Sequence, residues 1–180
     1  GWTVHTPTLR YHGGDPHAAP DPRLADPSLA DYPEDILDFV TGLDSAPVLL
    51  GHAIGGIIAQ QVAARRQARA VVPINPNAPW GTLPGSDQER GLARGMMEGG
   101  AFWTTAMRVP FEMFRDFAFN KLPDAQQHAI YNRMGAESGR VMFEIFFWMF
   151  DDAAAAWVDF DAVACPVLVV SGTDDCAVNP

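Results

Sequence analysis

The sequence predicts an α/β protein, three layers deep, with a mostly parallel sheet and a helical insertion between its third and fourth strands. Three observations carry this. Short apolar runs rich in β-branched residues recur at 2–7, 47–50, 69–74 and 166–170, each bounded by Pro, Gly or polar turn residues. The last three runs are apolar throughout instead of alternating, the pattern of strands covered on both faces by helices. Helix-like segments separate the early runs, whereas residues 76 to 160 carry bulky helical residues and no strand candidate.

After the first run comes a loop dense in Gly, Pro, Asp and His at 12–27, with His12 and His17 expected in solvent. A helix follows over 31–43. Asp31 can cap its free amides, Pro33 suits its first turn, and Ile36, Leu37, Val40 and Leu43 share the face that packs on the sheet. The second run leads through a glycine-rich turn into a helix that passes Ile57, Ile58 and Val62 and ends at Arg65 and Arg66, cations suited to a helix C-terminus. The third run ends in Asn75-Pro76-Asn77-Ala78-Pro79-Trp80, at the strand ends where open α/β sheets bind ligands; Trp80 either borders a pocket or anchors the chain into the insertion. Within the insertion, residues 145–150 are apolar all round and are expected to be buried, and the alanines at 153–156 favour helix.

The chain has 180 residues, of which 48% are hydrophobic and 19% charged, as in folded globular proteins. A net charge of -10 excludes nucleic acid as a natural partner, and neither GxGxxG nor GxxxxGK[ST] appears for a nucleotide. Cys165 and Cys176 stand outside any ligand spacing, so no metal is implied. The first residues lack the pattern of a secretory signal and no run is long enough to span a bilayer, which reads as a soluble, cytoplasmic protein. The start at Gly1 and the end at Pro180, directly after an apolar run, read as an internal segment. Its sheet edges, lacking neighbours, are expected to make the isolated chain poorly soluble.

The chemistry concentrates where the second run meets the following helix, at Gly51-His52-Ala53-Ile54-Gly55-Gly56. Glycines on both sides of one central residue suit a tight strand-to-helix corner in which that residue takes a strained backbone conformation and holds its side chain above the sheet. Gly51 and Gly55 are expected to supply the room, and the Ile54 N–H, at the helix start, to face an oxyanion.

This hexapeptide resembles the nucleophile elbow of the α/β-hydrolase superfamily, commonly Gly-His-Ser-Met-Gly-Gly, with alanine in place of serine. Two further segments extend the resemblance. Residues 1–10 are similar to the strand and loop that precede the elbow helix, and Cys165-Pro166-Val167-Leu168-Val169-Val170-Ser171-Gly172-Thr173-Asp174-Asp175 to the late strand that ends in the acid of the triad. The resemblance implies an incomplete α/β-hydrolase fold, with core at 1–78, a helical cap at 79–162, and the last strand with the acid loop at 163–180. It implies hydrolysis of an ester or similar acyl bond of a small apolar substrate, without metal or organic cofactor. Ala53 occupies the nucleophile position, Asp175 matches the acid with Asp174 as its neighbour and competitor, and Ile54 matches an oxyanion donor.

A methyl group can neither attack a carbonyl nor be activated by a base. The family's catalytic histidine follows the acid, and none of His5, His12, His17, His52 or His128 does. The chain is therefore expected to be inactive as it stands. His52 reads as a buried, hydrogen-bonded structural histidine. Ala53 admits an engineered loss of serine, a natural one, or a chain that was never a serine hydrolase; the retained Gly51, Gly55 and Gly56 favour descent from a serine enzyme. A noncatalytic ligand-binding member, or a lyase or oxygenase on the same scaffold, are the rival readings. Trp80, Trp103, Met107, Met142 and Phe146 are the candidate pocket walls.

Overall fold

The computed structural model describes residues 1–83 and 87–177. Its centre is a strand-helix-strand unit: β1 (Val48–His52), α2 (Ile54–Arg65) and β2 (Ala70–Ile74), preceded by α1 (Asp31–Thr41). β1 and β2 pair in parallel, Val48 opposite Ala70 and His52 opposite Ile74. Residues 166–170 continue the sheet on the far side of β2, again in parallel, through bridges at Val71 with Val167 and Ile74 with Val170. The two bridges stay separate because of Pro73. The Val71 and Asn75 amides donate to the Pro166 and Val170 carbonyls at 3.0 and 2.7 Å, but Pro73 between them has no N–H to give.

The apolar runs lead to the expectation of strands covered on both faces, and here the structure differs. In β1 Leu49 and Gly51 are buried while Val48, Leu50 and His52 are exposed. Among the described residues coverage comes to one face only. Leu29, Tyr32, Val40, Ile57, Val62, Val141 and Ala156 gather there around Leu49 and Val71 in one core cluster. Leu50 at 66% exposure and Leu168 at 62% mark the open side. Residues 2–7, read as a strand, form none: Trp2 and Val4 are 75% and 80% exposed, and the segment lies over the surface with Trp2 under the Arg69 guanidinium and His5 edge-on to Phe39. An apolar run becomes a strand only where an edge receives its backbone, and no described edge does.

α1 starts at its supposed cap, one residue earlier than expected. Asp31 is the first helical residue, and its carboxylate accepts from the Ser28 amide at 2.8 Å instead of capping the helix. The helix still turns Ile36, Leu37 and Val40 toward the core, and Leu43 follows just beyond its end. α2 is buried from Gly56 through Ala63, as a helix enclosed by neighbours must be.

Residues 87–146 hold α3 (Asp87–Glu98), α4 (Phe111–Phe117), α5 (Asp124–Tyr131) and α6 (Gly139–Phe146). They also hold a short antiparallel pair that the sequence did not suggest, β3 (Ala106–Met107) against β4 (Glu137–Ser138). Leu92, Met96, Phe102 and Met142 form a second core cluster, joined to the first through Ile54 and Phe146. Met149 and Phe150 are 45% and 71% exposed, so the apolar stretch 145–150 is buried only in part. The alanines at 153–156 make turns. Asp151 accepts from the Ala153 and Ala155 amides, and the buried Gln61 side chain donates to the Ala155 and Trp157 carbonyls, holding the segment out of helix. Among the described residues no helix is long and apolar enough to cross a membrane.

Candidate functional site

The corner between β1 and α2 is strained at one residue. Ala53 has φ 52° and ψ -118°, a conformation sparsely populated by any side chain other than glycine's hydrogen. Its backbone is held from both sides: the Ala53 amide donates to the Ile74 carbonyl at 3.1 Å, and its carbonyl accepts from Gly56 at 2.9 Å and Asn77 at 3.2 Å. β2 and the chain just beyond it therefore brace the corner. Ile54 opens α2, and its amide belongs to the first turn, whose N–H groups have no acceptor within the helix.

The glycines divide the work differently from expectation. A Cβ on Gly51 would sit 1.9 Å from the Gly55 carbonyl oxygen, and one on Gly56 would sit 2.7 Å from Pro76 Cβ. Gly55 would meet nothing within 4 Å, so the room comes from Gly51 and Gly56, not from Gly55. What requires closeness is the contact of strand end with helix start, and of helix start with Pro76. His52, expected to be buried, is exposed, because the alternation of β1 turns it to the open face of the sheet.

Asp175 sits on the loop after residues 166–170. The Asn75 side-chain amide donates to its Oδ2, and the Ala177 amide donates to its Oδ1 at 2.8 Å. Asp174 points outward to Lys121, 3.4 Å away, and is 67% exposed. The structure thus brings Asp175 to the end of β2, where the elbow is also anchored, and leaves Asp174 in solvent. Asn75 is the residue that sequence reading missed; its signal was a polar side chain directly after a buried strand, and its φ of 37° suits asparagine.

Of the proposed pocket walls, Phe146 lines a small cavity of about 40 Å³ together with Asn77, Trp148 and Ala177. Trp103, Met107 and Met142 lie in the apolar cluster beside Phe146 and Ile54. Trp80 does not line the cavity; it is 39% exposed and meets Trp148 edge-on at 5.2 Å. The cavity is far below the roughly 300 Å³ of a small-molecule site. Among the described residues no group of three or more His, Cys, Asp or Glu is arranged to hold a metal ion.

His12 is not a solvent histidine. Its ring bonds the Arg10 carbonyl at 2.8 Å and Glu137 Oε1 at 3.1 Å, and stands edge-on to Tyr32. Burial lowers its pKa, but the bond and charge of Glu137 outweigh this and leave it raised. Tyr32, which donates to the same Glu137 oxygen at 2.6 Å, is pushed up by burial first and by Glu137 second. The partners lie 125 residues apart, beyond the reach of any local pattern.

A parallel sheet, a strained strand-to-helix corner and a loop carrying Asp175 at the same sheet end fit the α/β-hydrolase fold. The chain belongs to the alpha/beta hydrolase family, whose family model matches residues 1–180. Among solved structures it is similar to an extracellular alpha/beta-hydrolase from a Paenibacillus species, described as homologous to tobacco salicylic acid binding protein 2. The TM-score is 0.64 at 21% identity, over 98% of this chain and 69% of that one. It is also similar to a thermophilic esterase from Thermogutta terrifontis, with a TM-score of 0.55 at 20% identity over 96% of this chain and 62% of that one. The monoacylglycerol lipase of Paleococcus ferrophilus has a TM-score of 0.52 at 20% identity over 86% and 58%. The chain spans less than two thirds of the length of the latter two relatives, and no curated protein matches it.

Proposed function

We propose that this chain carries the elbow and the acid of an ester-cleaving α/β hydrolase whose nucleophile position is occupied by alanine. The reading rests on one observation above the rest: residue 53 keeps the strained conformation of a presented nucleophile although its methyl has no chemistry to present. A strain of about 1–3 kcal/mol is the kind that active sites retain because the surrounding structure enforces it. With serine at 53, its oxygen would attack an acyl carbonyl, the Ile54 N–H would hold the oxyanion, and Asp175 would orient a histidine base. Residues 79–162 serve as the cap, and the apolar cluster of Trp103, Met107, Met142 and Phe146 faces a small apolar acyl group. Cys165 and Cys176 are both free thiols, which supports a cytoplasmic setting.

The test is Ala53→Ser in the full chain, assayed with a short-chain p-nitrophenyl ester. Because no histidine follows Asp175 in this sequence, imidazole is added as the base. Ester cleavage that appears with serine and rises with imidazole is expected. A folded Ala53→Ser chain no faster than the Ala53 chain under the same imidazole refutes the reading and favours a binding protein on the same scaffold.

A further inference from the structure

The stretch from Ile74 to Asn77 touches both halves of the site. Toward the elbow, Ile74 accepts from Ala53, Asn77 donates to Ala53, and the Pro76 ring lies where a Cβ of Gly56 would stand. Toward the acid loop, Asn75 engages through three groups: its amide N–H donates to the Val170 carbonyl at 2.7 Å, its side-chain Oδ1 accepts from the Gly172 amide at 2.7 Å, and its Nδ2 donates to Asp175 Oδ2. The residue does this from φ 37°, a backbone setting that asparagine tolerates better than most side chains.

We propose that Asn75 is a positioning residue for the acid: its side-chain amide fixes the Asp175 carboxylate to the end of β2 and so holds it in register with the elbow. The bond is charge-assisted, and such bonds are both shorter and stronger than neutral ones. The second bond of the same amide group, from Gly172, stops the loop from rotating the carboxylate away. A side-chain amide satisfies both ends, since one atom must accept while the other donates. Aspartate in its place would keep the bond from the Gly172 amide but lose the one to Asp175 and set two carboxylates against each other; leucine would lose both. The catalytic meaning of this clamp rests on the ester-hydrolase reading above.

The test is spectroscopic and needs no turnover. In the 15N-labelled full chain, one proton of the Asn75 side-chain amide is expected downfield of the ordinary asparagine pair. Asp175→Asn, which preserves shape and removes the charge, should abolish that shift, and Asp174→Asn should leave it in place. Asn75→Asp should keep the Gly172 amide protected from hydrogen exchange, whereas Asn75→Ala should lose that protection. An Asn75 amide that ignores Asp175→Asn in a chain with an unchanged thermal transition overturns the clamp. Failure of the ester-hydrolase reading looks different: the Asn75 signature responds to Asp175→Asn, yet Ala53→Ser cleaves no ester.

Discussion

A methyl group added to each elbow glycine meets a different fate. On Gly51 it would fall 1.9 Å from the Gly55 carbonyl oxygen, 2.3 Å from its carbon and 2.8 Å from the Gly56 nitrogen, all main-chain atoms of the first turn of α2. No rotamer relieves a clash between backbone and Cβ, so strand end and helix start must separate, and the bonds of Ala53 to Ile74 and Asn77 weaken with them. Overpacking costs about 1–3 kcal/mol and each lost hydrogen bond about 1, so Gly51→Ala is expected to destabilise by roughly 3–5 kcal/mol. Gly56→Ala, pressed against the Pro76 ring at 2.7 Å, is expected to cost about 1–3 kcal/mol. Gly55→Ala meets open space and removes a glycine from a helix, a gain of up to about 1 kcal/mol. Urea unfolding followed by far-UV circular dichroism measures all three as midpoint shifts at constant slope. Gly51→Ala and Gly55→Ala shifting the midpoint equally and in the same direction would refute the claim that strand and helix meet at Gly51.

Three further outcomes follow from other parts of the molecule. Ala53→Gly relieves a strained conformation worth about 1–3 kcal/mol against a glycine entropy cost of about 0.5–1, so a net gain near 1 kcal/mol, or about 2–4 °C in Tm, is expected by calorimetry. His12 has a raised folded pKa, so its contribution to stability is complete below its unfolded value near 6.5 and is lost as pH rises through the folded one. Tm measured from pH 5 to 8 should show a fall across that window that His12→Gln removes; the groups facing His12 are Glu137, Asp35, Arg10 and Tyr32. The buried Glu144 carboxylate accepts from Ser28 Oγ, the Leu29 amide and Arg140 Nε, so Glu144→Ala strands buried donors and is expected to cost about 2–4 kcal/mol in chemical denaturation.

Much of this architecture is written locally in the chain. The elbow hexapeptide, the helix that follows it and the parallel pairing of β1 with β2 are legible because strand and helix periods and glycine punctuation act over a few residues. Residues 166–170 also join the sheet in parallel, as expected. Coverage of the sheet was not legible, since an apolar run reports what a strand tolerates and not which helices arrive; Leu50 and Leu168 stand exposed for that reason. The same limit explains residues 2–7, apolar enough for a strand and yet lying on the surface. Gly55 misled because motif position suggests equal need at both flanks, while the tight contacts fall at Gly51 and Gly56. Asn75 and the His12–Glu137 pair depend on contacts 100 and 125 residues apart, set only when the sheet closes. The alanine run was overridden by Asp151 and Gln61, whose side chains capture its backbone groups.

The account depends on a backbone that raises the side chain of residue 53 above the sheet end for attack. Mass spectrometry of the Ala53→Ser chain, quenched after mixing with an aryl acetate and imidazole, reads this directly. The account predicts an acetyl group on the peptide containing residue 53 and none there in the Ala53 chain. Acetyl groups found only on surface lysines or histidines of a folded Ala53→Ser chain would contradict it.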